Sequence, residues 1–338
     1  MKKKILLVSI LAWTGISAQD TFSICAVDTV TGEVGSAGAS CIDANSIATG
    51  VLIISDIHNG VGVIHTQSYW DPSNQLYAQQ LMNAGISPQQ IMDSVVANDI
   101  SNNPGIRQYG AVDLFNGGAR SAAYTGPNCM NYKNHILGPN YAIQGNILLG
   151  QQILDSMEAR FLNTPGDLAC KLMAALQGAK VIGADTRCTI SGNSSLSSFL
   201  RVACPADAPG TYSIDVVVPE GPPGFEPIDS AQTLFNLIHN CSTPLVCGVG
   251  IDPIVPENDF SVTLQPNPVT ESSTLIVHGN KKQPLTLFIY SSGGALVIKS
   301  TIRGKFDVKK EAFKKGIYYY QVISDSGNKT QGKFVIVN

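Results

Sequence analysis

The sequence predicts an α+β domain of two stacked sheets with helices outside, spanning about residues 19–240, then a small all-β sandwich over 259–338. Three observations carry this. Strand patterns come in blocks with helical patterns between the blocks, which argues against a doubly wound sheet. Apolar residues make up 44% of the 338, enough for a sizeable core. Composition then shifts near residue 250, where cysteine disappears and lysine becomes frequent.

Residues 22–28 and 33–40 read as a hairpin, with Thr31-Gly32 as the turn signal. Ile47–Ser55 and Gly60–Gln67 read as two more strands, nearly continuous in apolar character, as expected of strands covered on both faces. The period then changes. Leu76, Ala78, Leu81 and Met82 recur at helical spacing within Gln75–Ala84. Ser87 and Pro88 fit the N-cap and first position of a second helix carrying Ile91, Met92, Val95 and Val96. Strands return at Arg107–Leu114, Ser121–Thr125 and Ile143–Leu148. Gln151–Leu162 and Gly166–Gly178 read as helices, Ser197–Ala203 and Tyr212–Val218 as late strands, and Asp229–His239 as a last helix. Residues 241–258 read as a linker that Pro253 and Pro256 keep extended. In the tail, short alternating runs at 260–264, 273–278, 284–290, 295–301, 316–323 and 332–337 alternate with turn signals such as Pro266-Asn267-Pro268 and Gly279-Asn280. Six or seven short strands of this kind suggest a small sandwich.

Lys2, Lys3 and Lys4, the apolar run Ile5–Trp13 and the small residues around Ala18 form a secretory signal pattern over residues 1–18, with cleavage expected between Ala18 and Gln19. That run is too short to span a bilayer, and no later run reaches spanning length, so no transmembrane segment is expected. The expected location is secreted or outer cell surface, reached through the periplasm. A net charge of −3 supplies no basic footprint for nucleic acid. With five histidines and neither H-x-x-x-H nor C-x-x-C spacing, no metal site and no cofactor is expected.

Eight cysteines in an exported chain point to disulfides. Cys241 and Cys247 enclose a short loop and suggest a local bridge; Cys41 with Cys188 is a second suggestion. Cys25, inside the first strand pattern, reads as a buried free thiol.

The segment Thr21-Phe22-Ser23-Ile24-Cys25-Ala26 starts a strand with a hydroxyl residue just past the expected signal. A threonine with a free α-amine joins nucleophile and base in one residue, because an amine with a pKa of about 8 can take the hydroxyl proton. The same segment also reads as an ordinary half-buried first strand. Both readings stay open on these residues.

Further pieces add up to a resemblance. They are T-F-S-I-x-A at 21–26, T-G-E-V-G at 31–35, G-V-G-x-x-x-T-Q-S-Y at 60–69, Y-T-G-x-x-C at 124–129, Q-G-N-I-L at 144–148 and G-A-D-T-R-C at 183–188. In this order they resemble a bacterial family called domain of unknown function 1028, assigned to the N-terminal-nucleophile (Ntn) hydrolase superfamily. The resemblance implies a four-layer αββα Ntn-hydrolase-like sandwich and an amidohydrolase-type site without an established activity. Its carry-over gives Thr21 as nucleophile, Asn146 as first oxyanion donor and Gln67 as second donor or orienting residue. His65, Asp185 and Arg187 are candidate substrate-binding residues. His65 reads as a group that titrates near neutral pH or as a structural histidine, and Asp185–Arg187 as a ligand clamp or a loop-fixing ion pair. One departure stands out: the predicted cut leaves Gln19 and Asp20 ahead of Thr21, so a free Thr21 amine requires further trimming. The alternative is a non-catalytic secreted or surface binding protein on the same fold.

The tail resembles the type A sorting domain of the type IX secretion system. Q-P-N-P at 265–268, Leu287-Phe288-Ile289-Tyr290 with Gly294, Gly316-Ile317-Tyr318 and Lys333-Phe334-Val335-Ile336-Val337 carry the likeness. It implies the type IX secretion machinery as a partner, in a Bacteroidetes-type cell. Beside that machinery, the expected partner is an unknown small amide or peptide substrate.

Overall fold

A computed structural model describes residues 21–221, 224–247, 260–279, 284–324 and 328–337. The expected signal peptide, its cleavage site and most of the expected linker lie outside these residues.

The chain opens with the predicted hairpin. β1 (Thr21–Val27) pairs antiparallel with β2 (Val34–Ser40), and the turn between them uses Gly32 at φ 74°. On its other side β1 pairs with β8 (Tyr141–Asn146), which pairs with β7 (Asn134–Gly138). Beyond β2 lie β9 (Ser197–Ala203) and β10 (Ile214–Val218), giving a six-stranded antiparallel sheet in the order β10-β9-β2-β1-β8-β7. A second sheet runs β3 (Ser55–His58), β4 (Gly62–Ser68), β5 (Arg107–Phe115) and β6 (Gly118–Thr125), again antiparallel throughout.

Strand alternation sorts each strand's side chains. On β1, Phe22, Ile24 and Ala26 join a core with residues of α3 (Gln151–Asn163), α4 (Leu168–Gly178) and α5 (Pro227–Ile238). On the second sheet, Ile64, Tyr109, Ala111 and Ala122 pack with α1 (Pro72–Asn83) and α2 (Pro88–Ala97). The opposite faces meet each other: Cys25, Val27, Val34 and Ala142 of the larger sheet pack with Ile57, Val63 and Val112 of the smaller. Helix α4 lies close on β2 because position 35 is glycine; a Cβ there would sit 2.4 Å from Leu172. The α2 start is a capping box between Ser87 and Gln90, as read from sequence.

Several expectations are corrected. Ile47–Ser55 is not a strand. Gly50 at φ 57° starts a 3-10 turn over Gly50–Ile54, and Val51 and Ile54 at spacing three bury against Phe199. β7 was hidden in a polar stretch, and the strand expected at Ile143–Leu148 ends at Asn146, where Ile147 turns to φ 54°. The last helix starts at Pro227 under a Glu226 cap rather than at Asp229. Cys241 and Cys247 are not paired with each other. The chain after α5 runs along the domain, and Cys241 reaches Cys170 on α4 while Cys247 reaches Cys204 after β9. Residues 241–247 are therefore tethered rather than a free linker. Cys41–Cys188 is bonded, and Cys25 is a buried free thiol, as is Cys129.

The tail is all-β. One sheet holds β11 (Phe260–Gln265), β12 (Ser272–Gly279) and β15 (Lys305–Lys309); the other holds β14 (Leu296–Ile302), β13 (Leu285–Ser291), β16 (Gly316–Ser324) and β17 (Lys329–Ile336). Leu275, Leu287, Ile289, Val308 and Phe334 share its core. β15 is the strand that the periodicity left out.

Candidate functional site

Thr21 is the first residue of β1, a central strand, with Ser40 opposite it on β2 and Asn146 opposite it on β8. By alternation it shares a face with Ser23 and Cys25, the face turned to the smaller sheet. From that sheet, β4 contributes His65 and Gln67 and β5 contributes Gln108. β8 supplies Gln144 and Asn146 from beside β1. All five are buried.

They form one hydrogen-bonded network between the sheets. Ser23 Oγ donates to Gln67 Oε1 at 2.6 Å. Gln67 Nε2 donates to the Thr21 carbonyl at 3.4 Å and to Gln108 Oε1 at 2.8 Å. Asn146 Nδ2 donates to the same Gln108 oxygen at 3.0 Å. Gln144 Nε2 donates to Ser23 Oγ at 2.7 Å and lies 3.2 Å from His65 Nδ1. His65 Nε2 lies 2.5 Å from Ser36 Oγ, and Ser36 lies 2.7 Å from Ser55 Oγ. Gln144 fits because position 110 has no side chain: a Cβ there would stand 2.1 Å from Gln144 Oε1.

The network is neutral. An amide N–H reaches His65 Nδ1, so Nε2 carries the proton and donates to Ser36. Burial pushes the His65 pKa down to about 3, so it does not titrate near neutral pH, contrary to one sequence expectation. Its two ring nitrogens are both spent inside the protein. Asn146 Oδ1 and Gln144 Oε1 are buried without a hydrogen-bond partner, a costly state that tends to persist where polarity is used. Asn146 spends one amide hydrogen on Gln108 and keeps the second.

Asp185 and Arg187 lie at the same end of the larger sheet as Thr21 but do a different job. Asp185 is wholly buried and accepts from the Cys41 N–H at 2.8 Å, the residue after Ser40. It also accepts from the Arg187 N–H and from Arg187 Nη2 at 2.9 Å. Together with the Cys41–Cys188 bridge this carboxylate fixes the loop to the end of β2. Arg187 is about one third exposed, with 35% of its side chain accessible.

A second cluster shapes the turn after Gln67. Ser68 takes a left-handed φ of 68°, and the chain bends so that the Trp70 N–H bonds the Ser68 carbonyl. Arg107, buried at β5's start, clamps this turn. Its guanidinium donates to the Tyr69 carbonyl, to Ser101 Oγ and, at 2.8 Å, to Asp99 Oδ2. Burial alone would raise the Asp99 carboxyl; Arg107, the Asn103 N–H and the Asn74 amide together hold it below the usual carboxylate range.

Of the residues named from sequence, Gln67, Asn146, His65 and the Thr21 carbonyl fall in this network; Ser23, Ser36, Gln108 and Gln144 join them and were not named. The missed residues had a signal: polar residues at every second place of otherwise apolar strands, in phase with the named ones. Thr21 itself is fully buried. Among the described residues, Cys170, His239 and Cys241 form a cluster of metal-ligand types, but its two sulfurs are joined as a disulfide.

Residues 21–220 match the model of a family of unknown function, DUF1028. The chain belongs to this family. Residues 263–337 match a secretion system C-terminal sorting domain. This DUF1028 protein is therefore directed to the type IX secretion machinery and to the exterior or the outer surface, where its three disulfides are at home. Among solved structures, protein SPO2555 from Silicibacter pomeroyi, also of DUF1028, matches with a TM-score of 0.51 and 22% identity. That match covers 64% of this chain and 88% of the other, and it shows a shared fold. Latent PorU from Porphyromonas gingivalis overlays with a TM-score of 0.23 and 12% identity, over 95% of this chain and 34% of that one, too slight to carry an argument. No curated protein matches the chain. Among the described residues no helix is long and apolar enough to cross a membrane.

Proposed function

We propose that this protein is an exported amide hydrolase of the Ntn type, with Thr21 as the nucleophile once it is the first residue of the chain. The domain would be a four-layer αββα sandwich over 19–240, joined through 241–258 to a sorting sandwich at 259–338. The observation that carries the reading is the position of Thr21: it heads a central strand, on the face that holds a buried, uncharged field of carboxamides.

In this reading the free α-amine takes the Oγ proton as Oγ attacks an amide carbonyl. Asn146 gives its second amide hydrogen to the developing oxyanion, in a water-poor setting where such a bond counts most. The C–N bond then breaks, the amine product leaves with the proton, and water hydrolyses the Thr21 ester. Gln67, with both amide hydrogens engaged, holds the Thr21 backbone rather than the oxyanion. Asp185 and Arg187 fix the loop beside the nucleophile, with Arg187 within reach of a ligand.

A second reading, a non-catalytic binding protein on the same fold, draws on the complete burial of Thr21. N-terminal sequencing of the secreted protein, paired with a screen of small acyl-amide substrates, separates the two. The hydrolase reading expects a start at Thr21, activity kept in Thr21→Ser, and a loss of more than about a thousandfold in Thr21→Ala. A start at Gln19 with full activity would remove Thr21 from the mechanism.

A further inference from the structure

We propose that the groove beside Trp70 binds a neutral saccharide. The groove is a cavity of about 470 Å³ between the Gly50–Ile54 turn, β3 and α1. Its size falls in the range of about 300–1,000 Å³ usual for small-molecule sites. The proposal rests on the groove's own residues and does not need Thr21 to be a nucleophile.

Trp70 forms the platform. Its indole N–H donates to Gln75 Oε1 at 3.0 Å, and Gln75 Nε2 donates to the Ile53 carbonyl at 2.8 Å, so the ring is tied through Gln75 to the Gly50–Ile54 turn. The clamp of Arg107 on the Tyr69 carbonyl fixes the backbone just before it. A tied, half-buried indole costs little further ordering when a flat C–H face lies on it. Leu76, 52% exposed on the adjoining helix, extends the apolar surface.

The far wall is polar and equally ordered. Gln79 Nε2 donates to Asp56 Oδ1 at 3.3 Å, and Asp56 Oδ2 lies 3.1 Å from His58 Nε2. His58 Nδ1 meets Asn83 Oδ1 at 2.7 Å, so both ring nitrogens face acceptors. A protonated His58 thus already balances Asp56, and the described lining holds no lysine or arginine to attract an anion. What remains is a carboxamide that donates and accepts beside a carboxylate that accepts. That pairing suits hydroxyl groups, each of which gives one hydrogen bond and takes others. A pyranose ring has this character, with an apolar C–H face and a hydroxyl rim. Asp56 and Gln79 also line an adjoining cavity of about 620 Å³, which leaves room for a second ring.

The groove also reaches the buried network. Ser55 lines it and bonds Ser36, which bonds His65. Trp70 is three residues from Gln67, which limits their Cα separation to about 11 Å. A sugar on the platform would therefore lie near the head of β1.

Trp70 and Trp13 are the two tryptophans of the sequence, and Trp13 falls in the segment expected to be cleaved as a signal, so the emission of the secreted protein reads the site directly. The test titrates the secreted protein with cellobiose, maltose and N,N′-diacetylchitobiose, with penta-alanine as the peptide comparison. The expected result is a saturable change in emission with at least one disaccharide. Calorimetry on the same sugar should give binding lost in Trp70→Ala and weakened about tenfold, or 1.4 kcal/mol, in Gln79→Ala, a change on an accessible helix face that leaves the core alone. Absence of saturable binding by all three sugars to folded protein overturns the proposal. So does saturation by penta-alanine alone, or full sugar affinity in folded Trp70→Ala.

Discussion

Between about pH 6.5, where a free imidazole titrates, and the value of about 3 to which burial brings His65, the unfolded chain binds one more proton at this residue than the folded one. Stability therefore rises with pH across that window and is lost as pH falls through it. At pH 5 the His65 ring is expected to give the ¹⁵N signals of a neutral imidazole protonated at Nε2, while an exposed histidine is mostly charged. Signals of an imidazolium at that pH would mean that the Gln144–His65–Ser36 chain is not formed as described. Thr21 was legible from sequence because a hydroxyl residue opened a strand just after an export signal. Gln108 and Gln144 showed only as polar residues in strand phase, because they become partners of Gln67 and Asn146 only when two sheets meet, and no local pattern encodes that meeting.

Elements with local signals were the legible ones. Ser87, Pro88 and Gln90 mark the α2 start in sequence, and the structure closes the capping box there. The Gly50–Ile54 turn misled because Val51, Leu52, Ile53 and Ile54 are β-prone, while Gly50 at φ 57° and the pocket under Phe199 wind them the other way. The loop from α2 to β5 was silent in sequence, yet it holds the Asp99–Arg107 pair. Both side chains are buried, so Arg107→Met would leave the Asp99 charge without its counter-ion, held only by the Asn74 amide and backbone N–H groups, at a cost of about 3 kcal/mol in urea unfolding. Asp99 is held below its ordinary range, so its contribution is present above about pH 4, its unfolded value, and fades as pH falls through the folded one. The variant should lack this acid-side loss.

At the scale of the molecule, three bridges hold distant segments. Cys41–Cys188 spans 147 residues and pins the loop of Asp185 to the end of β2. Replacing both with serine is expected to lower stability by about 2–5 kcal/mol, read as a lower midpoint in denaturant. An unchanged midpoint would show that the loop is held by Asp185 alone. The sorting region is not isolated from the main domain: Tyr319 joins the core under α5, and Lys333 Nζ meets Asp215 at 2.6 Å. No pattern in either sequence segment announced that contact, since each side reads as an ordinary strand residue. The two unpaired thiols have a consequence of their own. Cys25 and Cys129 are both buried, and burial pushes both thiols above their ordinary pKa. Disulfide exchange proceeds through the thiolate and needs access to it. An exported protein that carries two spare sulfurs in an oxidising medium thus keeps them out of circulation for as long as it stays folded, and the first breach of the inter-sheet layer would turn Cys25 into an agent of reshuffling and of cross-linking between molecules.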